Sequence, residues 1–186
     1  MVKLAILASG AGSNARNIIQ HFQNNPDVEI NLIACNKADA GVFQIAKEFN
    51  IPSLHLTKEN FKSSTDFVDL LQAQGTDWVI LAGFLWLVPT QLVKAFPNRI
   101  VNIHPALLPN FGGKGMYGHF VHEAVEAAGE KESGITIHYV NEHYDQGGII
   151  FQSRVNVENC TAEEIEKPVR ALEIAHFPQV IESIIQ

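Results

Sequence analysis

The run Lys3 to Ala8 (KLAILA) is apolar at every position after its lysine. Side chains of a strand alternate between faces, so such a run is buried on both sides, as in a parallel sheet covered by helices. Asp77 to Ala82 (DWVILA) repeats the pattern and is the most apolar strand, the expected centre of the sheet. Segments of helical period stand between: Ala15 to Phe22, with Ile18, Ile19 and Phe22 on one side, and Gly41 to Phe49, with Val42, Ile45, Ala46 and Phe49. Asn60 to Gln74 reads as a third, with Phe61, Phe67, Val68 and Leu71 facing the core and Gly75 ending it. Further strands at Ile30 to Cys35, Ser53 to Leu56 and Ile100 to Ile103, and a helix from Pro89 to Phe96, complete the order β-α-β-α-β-α-β-α-β. Helices between successive strands imply a mainly parallel sheet with right-handed crossovers.

The last third differs. After a helix from His119 to Ala128, Gly134 to Val140 (GITIHYV) alternates, with Ile135, Ile137 and Tyr139 on one face and Thr136 and His138 on the other. A polar loop, Asn141 to Gly148, leads to a strand from Ile149 to Val157. Thr161 caps a final helix to Ile184, which Pro168 and Pro178 are expected to interrupt. The fold expected is an α/β, Rossmann-like three-layer αβα sandwich, mainly parallel with an antiparallel C-terminal strand. The 186 residues fit one domain, 1–186, and a chain of that length buries roughly 70% of its unfolded surface.

A net charge of −7 and the lack of any run of lysines or arginines leave nucleic-acid binding without an electrostatic footprint. Cys35 and Cys160 are far apart and in no metal or redox spacing, which fits a reducing compartment. No apolar run approaches the length of a membrane span or an export signal. A cytoplasmic protein with small-molecule partners, no nucleic acid and no membrane is expected, as a monomer or homodimer.

Function concentrates at Ile100 to Pro109 (IVNIHPALLP). Asn102 and His104 are two apart, so on an extended backbone they leave on one face, and Pro105 and Pro109 forbid an immediate helix beyond them. Ligands of open α/β sheets bind outside the carboxyl ends of the strands. At that edge stand Ser9 to Asn14, Gly83 to Val88, Asn102 to Pro109 and Asn141 to Gly148. Gly10-Ala11-Gly12-Ser13-Asn14-Ala15 formally fits a dinucleotide fingerprint, but the next strand ends in Asn36-Lys37, where a ribose-binding acid is required. The loop therefore reads as a cradle for a single phosphate, with helix N–H groups aimed at the turn. The glycine-rich connection Pro105 to Gly118 is long enough to be functional in its own right.

No nucleophile elbow is present and no histidine has metal-ligand spacing, so neither covalent nor metal catalysis is expected. His21, His55, His119, His122, His138, His143 and His176 receive no role from spacing. An amide, an imidazole and a carboxylate remain: Asn102, His104 and Asp145. They suit direct acyl transfer between two bound substrates. Asn102 can donate to a developing oxyanion. Protonated His104 can add charge or hand over a proton. Asp145 is expected to raise the histidine pKa, and can hold a water that relays the amine's proton.

These residues also carry a resemblance. Ser9-Gly10-Ala11-Gly12-Ser13-Asn14, Asn36-Lys37-Ala38-Asp39-Ala40, Leu81-Ala82-Gly83-Phe84, Asn102 to Pro109, Asp145-Gln146-Gly147-Gly148, Glu173 and His176-Phe177-Pro178 resemble the folate-dependent formyltransferases from end to end. The Asn-x-His-Pro-x-Leu-Leu-Pro run is common to that group. The Gly-Ser-Asn loop with Glu173 is similar to the glycinamide ribonucleotide formyltransferases of purine synthesis. The resemblance implies that Asn102, His104 and Asp145 are catalytic. It implies that Gly12, Ser13 and Asn14 hold a ribonucleotide phosphate and Glu173 the ribose hydroxyls. It assigns the pterin of 10-formyltetrahydrofolate to Leu85, Trp86, Leu87 and Val88, to Asn102, and to Asn141, Glu142, His143, Tyr144 and Asp145. The N-terminal half would bind the ribonucleotide, 5-phosphoribosylglycinamide, and the C-terminal half the folate, with no metal. Trp86 and Ser64 stand where the family often has basic residues, and Lys114 is the candidate to replace that charge. The alternatives are another 10-formyltetrahydrofolate-dependent transferase, such as the one acting on methionyl-tRNA, and a non-catalytic nucleotide-binding module.

Overall fold

A computed structural model describes residues 1–185. Seven strands form one sheet: β1 (Val2–Ala8), β2 (Val28–Cys35), β3 (Ser53–His55), β4 (Trp78–Leu81), β5 (Ile100–His104), β6 (Glu132–Tyr139) and β7 (Ile149–Asn156). Their spatial order is β3-β2-β1-β4-β5-β6-β7. β1 to β5 pair in parallel, whereas β6 is antiparallel to both β5 and β7. The reversed strand is therefore β6, and β7 points with the parallel set again. The chain order turns back between β1 and β4, where an open sheet leaves a crevice at its carboxyl edge.

The apolar runs behave as expected of doubly covered strands. In β1, Leu4, Ile6 and Ala8 pack into one core, whereas Ala5 and Leu7 pack into the other. The first core lies under α1 (Ser13–Phe22), α2 (Val42–Glu48), α5 (His119–Ala127) and α6 (Ala162–Ile184), through Ile18, Phe22, Val42, Val125, Ile165 and Phe177. The second lies under α3 (Asp66–Ala73) and α4 (Thr90–Ala95), through Phe67, Leu71 and Leu92, with Phe61 beside them.

Two expectations are corrected. The helix from Asn60 to Gln74 is broken: a π-helical turn covers Glu59–Ser63, Ser64 is extended (φ −135°), and α3 starts at Asp66. Serine and threonine offer the backbone local partners in place of helical ones, and the Ser64 hydroxyl accepts from the Asp66 N–H at 3.3 Å. The final helix, by contrast, runs unbroken through Pro168 and Pro178. Pro178 deprives the Ile174 carbonyl of its helical donor, and the side-chain amide of Asn17 replaces it at 2.8 Å. Buried Ile165, Val169, Phe177 and Ile181 hold the helix on both sides of each proline. At its start the Thr161 hydroxyl and the Glu164 carboxylate each accept from the other's backbone N–H, a complete capping box.

Candidate active site

β5 presents Asn102 and His104 on one face, at the carboxyl end of the sheet. His104 is 3% exposed. Its Nε2 lies 2.7 Å from the Phe111 carbonyl, so Nε2 carries the proton and donates. Its Nδ1 then faces Asp145 Oδ1 at 3.7 Å. Asp145 comes from the β6–β7 connection at a positive φ of 54°. A Cβ on Gly147 would overlap the Tyr139 carbonyl oxygen, so glycine is what lets this loop fold against the end of β6. Asp145 Oδ2 accepts from the Gly113 N–H at 2.9 Å, joining the carboxylate to the glycine-rich loop.

His138, which received no role from spacing, belongs to this group. It pairs with Asn102 across β5 and β6. Its Nδ1 donates to its neighbour's carbonyl, Tyr139 O, at 2.8 Å, which leaves Nε2 to accept from Asn102 Nδ2 at 3.1 Å. The same Nε2 is 3.6 Å from Asp145 Oδ1. His138 thus orients the Asn102 amide with one N–H engaged and the other free. The alternation of β6 places His138 and Thr136 together in the sequence, but only the β5–β6 register puts them opposite Asn102 and His104.

Burial pushes His104 below its ordinary value of 6.5; Asp145 and the Phe111 carbonyl pull the other way, and His138 adds to the depression. The expectation of a raised histidine is therefore corrected. The carboxylate acts in the direction foreseen, but loss of hydration wins for so deeply buried a ring. Burial also pushes the Asp145 carboxyl up, and here His138, His104 and the Gly113 N–H outweigh it, holding the group below its ordinary 3.8. At neutral pH the site pairs a carboxylate with a neutral imidazole.

Two adjoining cavities meet here. One of about 460 Å³ is walled by Asn102, His104, Asp145, Leu85, Tyr144 and Lys114, among others. The second, about 270 Å³, lies against Gly10 to Asn14. Asn14, Gly83, Pro105, Gly118 and Glu173 line both. Gly12 has φ +83°, and a Cβ there would come within 2.8 Å of Val42 and Ile45. It delivers the chain into α1, whose first turn starts at Ser13 and leaves backbone N–H groups without helical partners. Asn14 Nδ2 donates to Glu173 Oε2 at 2.8 Å across the two chambers. Burial pushes the Glu173 carboxyl up, against Asn14 and Arg170 and with help from Glu166.

Of the residues assigned to the folate, Leu85, Asn102, Tyr144 and Asp145 line the larger cavity. Trp86, Leu87, Val88, Asn141, Glu142 and His143 are not among its lining residues. Trp86 packs instead on Phe61, centroids 5.8 Å apart, with the Lys62 ammonium 5.2 Å from its ring. The Asn141 side chain accepts from the His143 N–H at 2.9 Å and closes its own loop. Ser9, read as part of a turn, links three loops: its hydroxyl donates to Asn36 Oδ1 at 2.6 Å and accepts from the Leu85 N–H at 2.9 Å. Among the described residues, no cluster of three or more His, Cys, Asp or Glu is arranged to hold a metal ion.

A doubly wound sheet with an Asn-x-His strand end, a carboxylate folded back over it and a glycine loop alongside defines one class. The chain belongs to the formyl transferase family, whose model matches residues 2–181. It is 45% identical to the chloroplastic phosphoribosylglycinamide formyltransferase of Arabidopsis thaliana over 98% of its own length, and spans 65% of that plant protein. It spans 60% of the corresponding Vigna unguiculata protein. It is 35% identical to the phosphoribosylglycinamide formyltransferase of Bacillus subtilis, covering all of this chain and 95% of that one. Glycinamide ribonucleotide transformylase 1 from Geobacillus kaustophilus superposes over the full length of both chains, with a TM-score of 0.90 and 30% identity. The expected fold and family are borne out.

Proposed function

We propose that this chain transfers the formyl group of 10-formyltetrahydrofolate to the amine of 5-phosphoribosylglycinamide. The products are formylglycinamide ribonucleotide and tetrahydrofolate, a step of purine synthesis. The observation that carries this reading is the meeting of Asn102, His104 and Asp145 in one cavity that adjoins the glycine-loop cavity.

The ribonucleotide lies in the smaller chamber, its phosphate on the backbone N–H groups of Gly12, Ser13 and Asn14 and its ribose hydroxyls on Glu173. The folate lies in the larger chamber against Leu85, Tyr144 and Asp145, with Trp86 to Val88 and Asn141 to His143 forming the outer structure of its two loops. Lys114 meets the negative glutamate tail. Both substrates then converge on the end of β5, which supplies the alignment that a two-substrate reaction needs.

The amine nitrogen attacks the formyl carbon, and the carbonyl electrons move onto oxygen. The free N–H of Asn102 donates to that oxyanion. The proton lost by the attacking amine passes to His104 through water held at Asp145, and the carboxylate, 3.7 Å from the ring, stabilises the imidazolium so formed beside the oxyanion. The C–N10 bond then breaks, and His104 returns that proton to N10, which leaves the ring neutral again. The Phe111 carbonyl accepts from His104 Nε2 at 2.7 Å and holds the ring with Nδ1 towards Asp145. The reaction is read as running in the cytoplasm on small-molecule substrates, as suits a chain with a bacterial relative such as that of Bacillus subtilis.

The test is an absorbance assay with 5-phosphoribosylglycinamide and a 10-formyl folate analogue. Wild type is expected to turn over and His104→Ala to lose nearly all turnover while still binding the ribonucleotide. Absence of turnover in the wild type, or a fully active His104→Ala, rejects the proposal; a pure binding module would not respond to that substitution.

A further inference from the structure

The smaller chamber contains a side chain with no part in the account above. His122, in the first turn of α5, is 4% exposed and lines the same chamber as the glycine loop. Its Nδ1 is buried without any hydrogen-bond partner. Burying an unpaired ring nitrogen costs free energy that a phenylalanine of similar shape avoids, so a structural role gives no reason for histidine here.

The neighbouring groups do not supply the partner. Glu166, Arg170 and Glu173 of α6 line the same chamber. Glu166 lies 3.4 Å from His119 Nδ1, and Glu173 accepts from Asn14. Arg170 is the one lysine or arginine among the lining residues, so a dianion on the glycine loop has few charged donors around it.

We propose that His122 is a further substrate-binding residue whose ring N–H donates to a phosphate oxygen of the phosphorylated sugar seated on Gly12, Ser13 and Asn14. This rests on the ribonucleotide reading of that chamber. With Nδ1 closed off, the donor to the phosphate is Nε2, the ring nitrogen that is not among the buried unpaired atoms, and that N–H is what a phenylalanine could not supply. Burial pushes the ring below its ordinary 6.5, against Glu166 and with His119 and His104, so in the free protein it is neutral, with one N–H to give.

The test uses the full chain and ribose 5-phosphate as the probe, with affinity read by calorimetry and stability by thermal unfolding. His122→Phe is expected to weaken binding roughly 10- to 100-fold, the range for a lost hydrogen bond to a charged group, while the unliganded variant melts no lower than wild type. His122→Gln, which restores an N–H donor, is expected to recover most of the affinity. In the wild type, the His122 ring nitrogens should shift in a nitrogen-15 NMR titration with the same probe, a readout that needs no variant. Equal affinity of His122→Phe and wild type, or ring nitrogens that do not respond, overturns the proposal and leaves the ribonucleotide reading standing. A wild type that does not bind ribose 5-phosphate overturns both.

Discussion

Asp145→Asn removes a charge and keeps a shape. The amide oxygen can still accept from the Gly113 N–H that Asp145 now holds at 2.9 Å, so the glycine-rich loop keeps its anchor. What disappears is the attraction between a carboxylate and an imidazolium whose nearest atoms are 3.7 Å apart. At an effective dielectric of about 20, two unit charges at that separation attract by about 4 kcal/mol. Burial keeps His104 below its ordinary value, so the resting ring is neutral and this energy is not expressed in the ground state. It is expressed as the ring gains charge during reaction, which makes it a transition-state contribution. Its loss is expected to lower kcat by about 10³-fold, with KM for the ribonucleotide little changed. Steady-state formyl transfer followed by absorbance measures this, with a denaturation curve to show that the variant is folded. A kcat reduced by less than about tenfold would refute the assignment of Asp145 as the group that stabilises charged His104.

Gly147→Ala introduces a Cβ that overlaps the Tyr139 carbonyl oxygen. It should cost about 2–4 kcal/mol in a urea melt and reduce turnover, because the displaced loop carries Asp145. Unchanged melting and activity would dismiss the close approach. Lys114→Ala should raise KM for a polyglutamated folate while leaving KM for the ribonucleotide unaltered; an unchanged folate KM removes Lys114 from tail binding. The two depressed histidines, His104 and His122, set a pH dependence of stability. Below their ordinary 6.5 the unfolded chain takes up protons that the folded protein resists. Their contribution is thus complete above about 6.5 and is lost as pH falls from there through the depressed folded values. Glu173, raised by burial, acts the other way, so the comparison is with His122→Phe: thermal unfolding between pH 7.5 and 5 should show the midpoint falling less on acidification in that variant than in wild type, and an equal fall would contradict the burial of His122 in neutral form.

The periodicity of the chain was informative where side chains report directly on their surroundings. KLAILA and DWVILA foretold strands covered on both faces, because a continuous apolar run has no other place in a soluble sheet. The Asn60 to Gln74 helix failed for a local reason: the hydroxyl of Ser64 competes for the backbone in a segment whose apolar spacing continues across the break. The proline interruptions failed for a distant one, since the donor that replaces the missing bond at Pro178 is Asn17, from α1.

For the site the division is similar. The residue types and the strand-end placement of Asn102, His104 and the Gly12 to Asn14 loop were legible in the sequence, because prolines and glycines punctuate the chain where strands end. The 3.7 Å separation of Asp145 from His104, the orienting of Asn102 by His138, and the placing of His122, its Nδ1 unpartnered, in the wall of the glycine-loop chamber were decided by the tertiary structure. The first two depend on the register of an antiparallel pair, and the third on how α5 and α6 pack over one sheet edge. The same holds for the sign of the His104 shift. A carboxylate nearby can be guessed from sequence, but how much water remains around the ring is set by every element that closes over it.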